Sequence, residues 1–161
     1  MEYCALGKKP KNDDGYFEEM AGAVFRSGFS RKVIESKWEA FREAFAGFSI
    51  EKVARFGEPD LDRLLKNEKI VRNYRKIDAT VSNAREIRAI QGEHGSFEKY
   101  LRELSREGED KLVKTLSKRF AHLGSQTALF FLRSVGYDMP EMTRKWEKDH
   151  ASKVKGTRGR S

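Results

Sequence analysis

No segment of this 161-residue chain alternates apolar and polar residues with strand period over a useful length. Apolar residues recur instead at helical spacing, between Gly, Ser, Asn and Pro signals, and that pattern predicts an all-α fold. Residues 16–27 carry Phe17, Met20 and Val24 on one face and stop at Gly28. Ser30 starts a second helix, whose stripe Ile34, Trp38, Phe41 and Phe45 ends at Gly47. Residues 49–56 form a short helix, and Pro59 opens another reaching Leu65. A break at 67–69 precedes a long helix whose inner face is Ile70 or Val71, Tyr74, Ile77, Val81, Ala84 and Ile87. Its outer face carries Arg72, Arg75, Lys76, Arg85 and Arg88 and is expected in solvent or along a phosphate backbone. Residues 92–95 are a turn, and Ser96 caps a helix with Phe97, Tyr100, Leu101 and Leu104 inward. Further helices are expected over 109–117 and after Pro140.

The chain suits one helical domain over 16–150, flanked by a flexible arm at 1–15 and a disordered basic tail at 151–161. The formal net charge of +8 favours a polyanionic partner. A single cysteine, Cys4, excludes an internal disulfide and an iron–sulfur cluster. Neither a signal-like apolar core nor a membrane-length run is present, so an intracellular, monomeric protein without membrane contact is expected. No Gly-rich nucleotide loop of the Gly-Lys-Ser type occurs, which removes support for nucleoside triphosphate hydrolysis.

Residues 118–136 carry the most chemistry. Lys118 and Arg119 precede Phe120-Ala121-His122-Leu123-Gly124-Ser125-Gln126-Thr127, and an apolar run then continues to Val135 and stops at Gly136. This reads as a helical hairpin in which Gly124 supplies a backbone conformation closed to other residues and Ser125 caps the next helix. Amides of residues 123–127 would then face outward as an anion site assisted by Lys118 and Arg119, and a DNA phosphate fits it. An ordinary helical corner is the plain alternative for these residues.

With the helices placed, the chain resembles the 3-methyladenine DNA glycosylase I family, within the helix-hairpin-helix glycosylases. The resemblance covers about residues 16–137 and rests on several short motifs in order. They are Phe17-Glu18, Gly28-Phe29-Ser30, Trp38-Glu39-Ala40-Phe41-Arg42, Ile70 to Ile77, Asn83-Ala84-Arg85 and the segment from Phe120 to Gly136. The resemblance implies a hairpin that grips double-stranded, damaged DNA beside a pocket for a flipped base. It also marks departures: Ala23 stands where the family's principal members have a base-recognising glutamate, and Arg31 where they have a stacking aromatic. The family's structural zinc is not expected, because Cys4 is alone and only His94, His122 and His150 accompany it; no cofactor is expected.

A glycosylase must hold an extruded base on a π surface and break its bond to the sugar. Phe25, Phe29, Arg31 and Trp38 are the candidate pocket residues, with burial in the core as the plain alternative for the aromatics. Glu18, Glu19 and Glu35 flank that pocket, and any of them buried there would have a raised pKa. Asp138 and Glu141 are the acids nearest the hairpin helix, with helix capping around Pro140 as their alternative role. Two further readings stand beside a purine-excising glycosylase: a non-catalytic DNA-binding protein on the same scaffold, and a helical protein whose basic face binds RNA or an acidic partner.

Overall fold

A computed structural model describes residues 5–151, so Cys4 and the expected tail beyond Ala151 lie outside the described residues. The ten helices are α1 (Asp13–Arg26), α2 (Arg31–Ser36), α3 (Trp38–Ala44), α4 (Ile50–Ala54), α5 (Glu58–Leu65), α6 (Tyr74–His94), α7 (Phe97–Ser105), α8 (Glu109–Arg119), α9 (Ser125–Ser134) and α10 (Pro140–Asp149). No strand occurs among the described residues. The long α6 packs against α1, α4, α5 and α7, and α9 rests on α1 and α8.

Local chemistry sets most helix starts. Asn12, Ser30, Ser49, Asn73 and Ser96 each turn a side-chain oxygen onto a first-turn amide. At α5 the Asp60 carboxylate reaches back to the Gly57 amide at 3.0 Å. Carboxylates from elsewhere reinforce two of these starts, at α7 and α4, and supply a third at α10. Asp13 accepts from the Phe97 and Glu98 amides at 2.9 and 3.2 Å, and Asp14 from Ile50 at 3.0 Å. Glu109 accepts from the Glu141 and Met142 amides at 3.1 and 3.2 Å.

Under α1 lies an aromatic cluster of Phe17, Phe25, Phe41, Phe45 and Phe48, all fully buried. Each such side chain contributes roughly 1.5–3 kcal/mol through burial. Trp38 closes the cluster, stacked on Phe48 at 5.1 Å.

Four features depart from the sequence expectation. The second helix is broken at Lys37 (φ −105, ψ 2), where the Ser36 hydroxyl bonds the Val33 carbonyl at 2.7 Å and competes with the helical ladder. α6 begins at Tyr74, after its cap Asn73, rather than at residue 70, and Tyr74 is 54% exposed instead of facing the core. It also runs through residues 92–94 to Gly95, whose φ of 92 ends it. Residues 5–12 are a strap rather than a detached arm, and α1 already begins at Asp13. The Gly7 amide donates to the Arg133 carbonyl at 2.8 Å, and Lys9 pairs with Glu98 at 2.5 Å. A side chain at position 7 would collide with the Ser134 carbonyl, so the strap lies tight on α9.

Candidate nucleic-acid interface

The chain reverses between α8 and α9 through a turn braced from within. Phe120 and Leu123 are buried, 4% and 2% exposed, and pin its two ends. Asn83 of α6 clamps the middle, donating to the Ala121 carbonyl at 3.0 Å and accepting from the Ala121 amide at 2.8 Å. Gly124 does not play its expected backbone role. The left-handed residue is His122 (φ 54), while Gly124 is extended at φ −61, ψ 172. Gly124, not Ser125, is the N-cap, and it contributes an absence: a Cβ there would point into open space.

α9 is the only one of the ten described helices whose start has neither a side-chain cap nor an acidic residue in its first turn. First-turn amides have no acceptor within a helix, and the helix dipole adds partial positive charge there. His122, Gly124, Ser125 and Gln126 are exposed around this start, Thr127 is half-buried, and Lys118 is exposed one turn before it. Arg119 is corrected from the expected cluster. It pairs with Glu86 at 2.5 Å and Glu93 at 3.1 Å and lies over the Tyr100 ring, fastening α8 to α6 and α7.

A cleft of about 760 Å3 opens between α1, α2, α9 and the strap, and Gln126 and Thr127 form part of its wall. The uncapped turn and the cleft therefore share the first turn of α9. Of the expected pocket residues, Phe29, Arg31 and Glu35 line the cleft. Phe25 is instead fully buried, with its ring 4.6 Å from Phe41, because it precedes the end of α1 while Phe29 follows it. Trp38 turns into the core, and its Nε1 donates to Glu18 at 2.9 Å.

The expected acids divide in the same way. Glu18 accepts from Trp38 and from Arg42 at 2.8 Å, outside the cleft. Glu35 is exposed and accepts from Arg31 Nε at 2.8 Å, and that hydrogen bond holds its carboxyl below the usual range. Asp138 has a 72% exposed side chain, pairs with Arg133 and does not reach the cleft. Glu141 is exposed too, and the cap of α10 comes from Glu109 rather than from either acid.

Glu19, Ala23 and Arg26 form the α1 wall of the cleft. The Arg26 guanidinium folds back over Gly22, where a Cβ would come within 2.5 Å of Nη2. Burial raises the Glu19 carboxyl pKa above its ordinary value, outweighing the lowering influence of Arg26. From the sequence, Glu19 is expected only as one of three acids near the pocket, and Arg26 is not expected there. The available signal was two charged residues flanking Gly22-Ala23 on one helical face. Lys76 was also misplaced on the outer face. It is 6% exposed, and its Nζ donates to the carbonyls of Phe25 and Ser27 and sits 4.5 Å over the Phe29 ring. Burial pushes its pKa down. Arg85 stays exposed on the outer face, as expected, but is engaged there, donating to the Ala54 and Phe56 carbonyls at 3.0 and 2.6 Å.

Among the described residues, no three of His, Cys, Asp and Glu converge to hold a metal ion, and no helix is long and apolar enough to cross a membrane. The family model for methyladenine glycosylase matches residues 5–129. A DNA-3-methyladenine glycosylase of Haemophilus influenzae is 27% identical over 149 residues, spanning 81% of this chain and 80% of its own. A variant of 3-methyladenine DNA glycosylase I solved in complex with 3-methyladenine superimposes with a TM-score of 0.74 at 29% identity, covering 83% of this chain and 82% of that one. The 3-methyladenine DNA glycosylase I of Staphylococcus aureus does so with a TM-score of 0.73 at 28% identity, over 84% and 86%.

Proposed function

The chain belongs to the methyladenine glycosylase family, and on that premise we propose that it is an intracellular, monomeric base-excision enzyme. It binds damaged duplex DNA through the α8–α9 unit as a helix-hairpin-helix and hydrolyses the N-glycosidic bond of a flipped alkylated purine such as 3-methyladenine. The observation that carries this reading is the shared first turn of α9. An uncapped helix start suits a backbone phosphate, and the cleft that begins at Gln126 and Thr127 suits the nucleotide turned out beside it. Lys118 supplies further salt-sensitive attraction, and exposed Phe29 offers a face for stacking. An alkylated purine that carries a positive charge already leaves readily, so flipping and desolvation supply much of the catalysis.

Ala23 and Arg31 favour a second reading, a DNA-binding protein on this scaffold that has lost the chemistry. Incubating the purified protein with methylated duplex DNA and identifying every released base by mass spectrometry separates the two. Release of an alkylated purine, abolished by Gly124→Asp, is the expected result. Duplex binding with no base released would select the second reading.

A further inference from the structure

Resting on the glycosylase reading, we propose that Lys76 is a positioning residue: its buried ammonium fixes the turn between α1 and α2 so that the Phe29 ring stands in the cleft with one face free for a base. Three contacts from one atom place it there. Nζ donates to the Phe25 carbonyl at 3.4 Å and to the Ser27 carbonyl, and it lies 4.5 Å over the Phe29 ring. Lys76 itself is 6% exposed, whereas Phe29 is 40% exposed and lines the cleft.

The two carbonyls belong to the end of α1. The last carbonyls of a helix have no partner within it and carry partial negative charge, which suits a cation. After Arg26 the chain turns at Gly28, whose φ is 79. The Ser27 amide bonds back to the Ala23 carbonyl at 3.2 Å and the Phe29 amide to the Arg26 carbonyl at 3.1 Å. The Phe25 and Ser27 carbonyls are met instead by Lys76, reaching across from the first turn of α6. The turn that presents Phe29 is therefore set by α6 as much as by the two helices it joins.

Capping alone does not call for a lysine here. Burying a charge is costly, and a neutral donor would satisfy the same carbonyls. Desolvation is the only influence that moves the Lys76 pKa, and it lowers it, so among the described residues no carboxylate balances the ammonium. What a neutral donor would not supply is attraction to the face of an aromatic ring. That attraction holds Phe29 by one face, outside the core into which Phe25 is fully buried four residues earlier. A ring held in this way meets a base without first losing rotamer freedom, and that favours stacking.

The test is a double-mutant cycle on release of 3-methyladenine from methylated duplex DNA, with the melting temperature recorded for every variant. Phe29→Ala removes the ring and is expected to lower kcat/KM about tenfold, mainly through KM, as loss of a stacking face would. Lys76→Met keeps the apolar stem but removes donors and charge; it is expected to give about the same loss, again in KM, with a lower melting temperature. Added to Phe29→Ala, Lys76→Met is expected to lower the melting temperature again but to change kcat/KM by less than about twofold, because the ring it positions is gone. Lys76→Arg, which keeps a cation and donors, recovers part of the KM loss. Where Lys76→Met does not fold, Lys76→Gln, which keeps a donor for the carbonyls, takes its place in the cycle. Losses that multiply in the double variant, or an unchanged KM in the folded Lys76 variant, would overturn this inference, reduce Lys76 to a buried helix cap and leave the glycosylase reading standing. No base released by the wild-type protein would overturn both.

Discussion

Two helix–turn–helix units in this molecule look alike in sequence, each joining consecutive helices through a turn with basic residues nearby. Between α5 and α6 the turn is chemically closed. Asn73 caps the α6 start at the Lys76 amide (3.1 Å), Asn67 accepts from the Lys69 amide (3.0 Å), buried Lys76 donates to the Phe25 carbonyl, and exposed Arg85 donates to the Ala54 carbonyl. Between α8 and α9 the turn is braced from below by Asn83 but open above, at Gly124. Counting Lys and Arg does not tell the two apart. What distinguishes a phosphate site is which donors the fold leaves without an internal acceptor.

That comparison can be attacked in order of expected effect. Asn83→Leu strips both partners from the half-buried Ala121 backbone and should cost about 1–3 kcal/mol in chemical denaturation, with DNA affinity falling alongside. Arg119→Gln removes the fastening between α8 and Glu86 and should cost about 1–2 kcal/mol, while leaving the salt dependence of DNA binding unchanged. An altered salt slope would return Arg119 to the interface. Asn73→Ala, at the closed turn, should cost about 1 kcal/mol in stability and nothing in affinity. Smallest is Lys118→Gln, which should leave the melting temperature alone, weaken duplex binding a few-fold at low salt and reduce the salt slope by about 1.

Much of this fold was legible because helix ends are written locally. Gly28, Gly95 and Gly136 all take positive φ, at 79, 92 and 100, and each lies where a helix or turn is expected to end. Asn12, Ser30 and Ser96 cap as their chemistry suggests. The site was less legible because its features depend on distant partners. Lys76 is expected on the outer face, yet it is buried together with Thr80 and Asn83, which follow it at helical spacing. Their acceptors include the Phe25 and Ala121 carbonyls, which no local pattern connects to them. The fates of Phe25 and Phe29, four residues apart, turned on where α1 stops. Gly124 was singled out for a conformation it does not adopt, and its part is to leave room and leave amides bare.

The most direct measurement is duplex binding by Gly124→Asp across a salt series, with melting temperature recorded in parallel. The backbone at 124 is ordinary and the space beside it open, so an aspartate fits there and can cap α9. The account predicts a melting temperature held or raised, together with an affinity reduced about 10- to 100-fold as the new carboxylate takes the amides meant for phosphate. Unchanged affinity in the folded variant would contradict it and remove the start of α9 from the DNA interface.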